Sequence, residues 1–99
     1  MSYRVRLAPR AADDLQRLFD FLAETDLAAA KHARDTIAKG FAFLQNFPFA
    51  CRKAAPETPL MRELLIEFGR TGYVALFEIE NASTVTILTV RHQREDDYY

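Results

Sequence analysis

Apolar and charged residues alternate through Tyr3-Arg4-Val5-Arg6-Leu7, which puts Tyr3, Val5 and Leu7 on one side and both arginines on the other. A two-residue period of this kind predicts a half-buried strand. After Pro9, which fits the first turn of a helix because its missing N–H would have no partner there, the period changes. Ala11, Leu15, Leu18, Phe19 and Leu22 recur at helical spacing, with Asp13, Asp14, Arg17, Asp20 and Glu24 opposite them. Asp26 is placed to cap a second helix, whose stripe is Ala30, Ala33, Ile37, Phe41 and Leu44. The connection is only a few residues long, so the helices form an antiparallel hairpin.

From Phe47 to Pro59 the periodicity stops among three prolines, which predicts a surface loop. Alternation returns in Met61 to Phe68, with Leu64, Ile66 and Phe68 on one face and Arg62 in phase with them. Gly69-Arg70-Thr71-Gly72 predicts a turn, Tyr73 to Glu80 a strand, and Asn81-Ala82-Ser83 another turn. Thr84 to His92 is apolar on both faces along most of its length, as expected of a central strand, with His92 in phase with Leu88 and Val90. The expected fold is α+β, in the order β-α-α-β-β-β. Its N-terminal helical hairpin covers one face of a mostly antiparallel sheet, in two layers, as one domain over residues 1–99.

Composition narrows the function classes. Nearly half of the 99 residues are hydrophobic and only three are Gly, which excludes disordered and collagen-like chains. Cys51 is the only cysteine, so no disulfide can form within the chain, and a reducing cytoplasmic setting is expected. No apolar run reaches signal-peptide or membrane-spanning length, so no membrane partner is expected. The net charge of −1 does not favour a dedicated polyanion binder, whose affinity draws on clustered Lys and Arg.

Polar groups concentrate in Arg91-His92-Gln93-Arg94-Glu95-Asp96-Asp97-Tyr98-Tyr99, where the last strand runs out. His92 suits either general acid–base work near neutral pH or a structural hydrogen bond across the sheet. Arg62, Arg91 and Arg94 converge if their strands are neighbours, and would then fork onto phosphate or carboxylate oxygens; the adjacent Glu and Asp residues are rival partners. Tyr98 and Tyr99 are suited to stacking on a base or anchoring a protein interface. His32 and Asp35 have no third ligand at metal spacing, and Cys51 has no evident histidine partner. No metal and no cofactor are expected.

The order of elements resembles the RelE/ParE toxin superfamily of type II toxin–antitoxin systems. The likeness rests on the opening strand with LAPRAADDLQRLFDFLAE, the Phe47-Pro48 end of helix two, the MRELLI and GYVALFEIE strands, and the closing VTILTVRHQRE. It implies a toxin neutralised by a cognate antitoxin. The RelE-like branch cleaves messenger RNA on the ribosome; onto this chain it would carry catalytic roles for Arg62, Arg94, Tyr98 and Tyr99. Its arginine after the last strand falls on Gln93, and on Arg94 only with a slip of one residue. The ParE-like branch, which VRHQRE resembles more, inhibits DNA gyrase by binding protein and is tied to plasmid stabilisation. A protein target makes no demand for positive charge. The expected target-binding residues are then Arg91, His92, Arg94, Tyr98 and Tyr99. Expected partners are the antitoxin and DNA gyrase, with ribosome and messenger RNA as the alternative, and edge strands would permit a homodimer.

Overall fold

Strand β1 (Arg4–Leu7) joins the sheet beside the last strand and runs parallel to it, with Arg4 opposite Thr84 and Leu7 opposite Ile87. The parallel pairing requires a long connection, and residues 8–83, which hold both helices and the three other strands, run between the two. Helix α1 (Pro9–Ala23) and helix α2 (Leu27–Leu44) follow, then a short 3-10 turn (Pro48–Ala50) and strands β2 (Arg52–Lys53), β3 (Met61–Phe68), β4 (Thr71–Ile79) and β5 (Thr84–His92). This computed structural model describes residues 2–94. The sheet order is β1-β5-β4-β3-β2, antiparallel apart from β1.

The helices form where the apolar stripes predict them. Asp26 caps α2 by accepting the Ala29 N–H at 2.9 Å. At the far end of α2 the Gln45 carbonyl accepts the Tyr3 N–H, which ties the hairpin to the start of β1. Leu18, Ala33, Ile37 and Leu44 pack on Leu64, Ala75, Phe77, Ile87 and Val90 of the sheet. Each large side chain buried there, such as Phe77 or Ile87, contributes roughly 1.5–3 kcal/mol.

Four local readings change. The 47–59 segment contains the 3-10 turn and the two-residue edge strand β2, where Arg52 pairs with Glu63 through Nε at 2.9 Å and Nη2 at 2.8 Å. The β3–β4 turn is only Gly69-Arg70. Gly69 carries φ of 63° at the first loop position and Arg70 has a negative φ, the pattern of a type II′ hairpin. Gly72 belongs to β4 and is buried; a Cβ there would collide with the Ile66 carbonyl oxygen.

The fourth change concerns β5. Leu76 pairs with Thr89 but Phe77 pairs with Ile87, so Leu88 is an extra residue that shifts the phase of the strand. Val85, Ile87, Val90 and His92 therefore share the helix-covered face, while Thr84, Thr86, Thr89 and Arg91 share the other. The strand that looks apolar on both faces is a two-faced strand interrupted by a bulge. It lies inside the sheet, and β4 is the middle strand.

Candidate functional site

The C-terminal end of β5 meets the C-terminal half of α1 and the β3–β4 hairpin around a groove of about 600 Å³. Leu18, Phe21, Leu22, Phe68 and Tyr73 make its apolar surface, and Arg17, Thr71, His92 and Arg94 supply polar groups. Phe21 is 74% exposed, an aromatic ring left in water at the edge of the groove. Tyr73 lies beneath, and burial pushes its phenol up from its ordinary pKa.

Two contacts fix the ring of His92. Its Nε2 lies 2.9 Å from the Thr71 hydroxyl, and its Nδ1 accepts the Arg94 backbone N–H at 3.2 Å. The imidazole also meets Tyr73 edge-on, with ring centroids 5.6 Å apart. His92 thus makes a hydrogen-bonding contact across the strands, at the wall of an open groove. His32 sits elsewhere, edge-on to Phe68.

The arginines do not converge. Arg91 points to the uncovered face of the sheet, and one guanidinium nitrogen reaches the carbonyls of His92 and Gln93. Arg94 joins His92 in the groove. Arg62 is on β3 opposite Phe77, on the helix-covered face; the register aligns His92 with Tyr73 and Ile66, four residues along β3 from Arg62, and β4 lies between β3 and β5. Its Nε donates to the Pro59 carbonyl at 2.8 Å. Its Nη1 donates to the carbonyls of Cys51 at 2.7 Å and Phe49 at 3.1 Å. The guanidinium also stacks over the Phe49 ring, 5.1 Å from the centroid. The arginine in the apolar phase of β3 reaches backbone carbonyls of the 47–59 segment. Tyr98 and Tyr99 lie outside the described residues.

Cys51, beside this clamp, has a thiol pushed up by burial, with the Arg62 guanidinium pulling weakly the other way. Among the described residues no group of three or more His, Cys, Asp and Glu side chains could hold a metal ion.

One residue that helps build the site was assigned by its periodicity to the wrong environment. Asp14, placed with the charged side of α1, is 3% exposed, and its Oδ2 accepts the Val90 N–H at 3.0 Å. Strand β1 stops at Leu7 opposite Ile87, so beyond that point the flank of β5 needs another acceptor, and α1 provides it. Arg17 stands 3.7 Å from the other Asp14 oxygen, between this anchor and the groove. Phe21 did carry a signal, since it falls outside the stripe of Ala11, Leu15, Leu18 and Leu22.

Comparison with known proteins places this architecture. Residues 5–97 match the family described as ParE toxin of type II toxin–antitoxin system, parDE. A protein of Caulobacter vibrioides named Toxin RelE3 is 34% identical over 92 residues, covering 92% of this chain and 95% of its own. Two solved structures share the fold. One is of the chromosomal ParDE system from P. aeruginosa, with a TM-score of 0.75 at 22% identity, covering 92% of this chain and 96% of that one. The other is a mutant of E. coli toxin RelE in the free state, with a TM-score of 0.67 at 16% identity, covering 99% and 92%.

Proposed function

The chain belongs to the ParE toxin family of type II toxin–antitoxin systems, and from that premise we propose that it arrests its target by binding protein, with DNA gyrase as that target. Membership of the family implies an antitoxin partner. The observation that carries the choice of mechanism is the engagement of Arg62. For Arg62 to serve a nuclease, its guanidinium would have to face the scissile phosphate, where charge develops in the transition state. Arg62 instead spends its donors on three backbone carbonyls and its face on Phe49. It also lies apart from Arg94, so the two do not form one phosphate clamp.

The groove at the end of β5 suits a protein partner better. It combines an apolar floor, the exposed ring of Phe21 and the cations Arg17 and Arg94, the mixture that makes energetic centres of interfaces. The target-binding set is Arg94 and His92 in the groove and Arg91 on the adjoining sheet face, with Tyr98 and Tyr99 following in sequence. The near-neutral net charge fits a protein target.

The alternative is ribosome-dependent cleavage of messenger RNA, favoured by the name of the 34% identical relative, Toxin RelE3. One preparation assayed for gyrase supercoiling and for cleavage of ribosome-bound message separates the two. Inhibited supercoiling with intact message is expected; cut message with unaffected gyrase overturns the proposal.

A further inference from the structure

The two ring nitrogens of His92 meet groups that treat them differently. The Arg94 N–H donates to Nδ1, so Nδ1 must offer a lone pair, and the hydrogen-bond network assigns the proton to Nε2, facing the Thr71 hydroxyl. The Gln93 N–H still bonds the Gly72 carbonyl at 2.9 Å, so the ladder holds the chain as far as Gln93. Arg94 is the next residue, and its N–H rests on the His92 side chain. A second proton on the ring goes to Nδ1, where two N–H groups would then confront each other. The Thr71 hydroxyl can accept from Nε2 in either state, so the Nδ1 contact alone senses the charge.

The described charged and titratable groups around the ring are Arg17 from α1, the Tyr73 phenol from β4 and Arg94 itself. Strand β3 adds Phe68, and Asp14 on α1 is turned to the Val90 N–H. Among the described residues lining the groove, none is a carboxylate that would reward an imidazolium.

We infer that His92 is a pH-operated latch on the backbone where it leaves β5. The neutral ring fastens Arg94, and protonation of the ring releases it. His92 is a positioning residue in this role, and the role does not depend on which target the toxin has. A partner that approaches this end meets a fixed Arg94 while the ring is neutral and a loose one once it is protonated.

Amide hydrogen exchange on the full ¹⁵N-labelled chain, read as the protection factor of the Arg94 N–H at pH 8 and pH 5, tests the latch. Protection should fall about tenfold or more on acidification, in step with the His92 ring titration followed in the same sample. In His92→Gln it should be independent of pH, and in Thr71→Val the pH dependence should persist. The native chain also gives an answer that needs no variant: imidazole nitrogen spectra at pH 8 should place the proton on Nε2. A proton on Nδ1, an Arg94 protection factor equal at both pH values, or the same fall in His92→Gln would overturn the inference.

Discussion

Arg62 of β3 holds the segment that carries Cys51, and each responds to the other. The guanidinium satisfies the Phe49, Cys51 and Pro59 carbonyls, and hydrogen bonds to charged donors are worth about 1.5–3 kcal/mol each before losses to solvent. Arg62→Gln should lower the midpoint of urea unfolding by an amount equivalent to about 2 kcal/mol. A residue reserved for phosphate chemistry would lose activity and leave the midpoint in place. The Cys51 thiol, raised by burial, should react with iodoacetamide at pH 7–8 more slowly than an unhindered thiol, and accelerate only at higher pH. In Arg62→Gln the opposing pull is gone, so if the local fold holds, the rate at a given alkaline pH should drop further. The sign for stability follows. A thiol with a raised pKa favours the folded state at pH values below the ordinary thiol range, and that contribution fades as the pH climbs through the raised value.

At the level of elements, α1 is fastened to β5 by Asp14 as well as by its apolar stripe. Asp14→Ala leaves the buried Val90 N–H without its acceptor, which should cost about 1.5–3 kcal/mol in thermal or urea unfolding. An Asp13→Ala control on the exposed side should change little. Periodicity alone supports β1, both helices, β3, β4 and β5, because each buries one face against the other layer and must repeat at its own period. It misses β2, since a two-residue edge pairing in a proline-containing segment has no period to display. The bulge at Leu88 is hidden for a related reason: a phase shift within an apolar strand looks like two apolar faces. Asp14 fits the charged side of α1 by periodicity, and its burial follows from where β1 ends, a fact of tertiary pairing.

Across the whole molecule, the candidate site is only partly legible in the order of residues. Arg91, His92 and Arg94 are close in sequence, yet the pleat sends Arg91 to the uncovered face and His92 to the groove, while the turn after β5 brings Arg94 back beside His92. The other walls come from α1 and the β3–β4 hairpin, segments some 20 to 75 positions away that only the sheet order brings together. Arg62 drops out because β4 lies between its strand and β5. What remains is one mixed cationic and aromatic end on a near-neutral molecule. Among the described residues no helix is long and apolar enough to cross a membrane. The most direct measurement is inhibition of DNA gyrase supercoiling by the native chain and by Arg94→Ala, with the two melting temperatures matched. Inhibition by the native chain, weakened about tenfold or more in Arg94→Ala, is the predicted result. Full supercoiling activity at a large excess of the native chain would contradict a gyrase target.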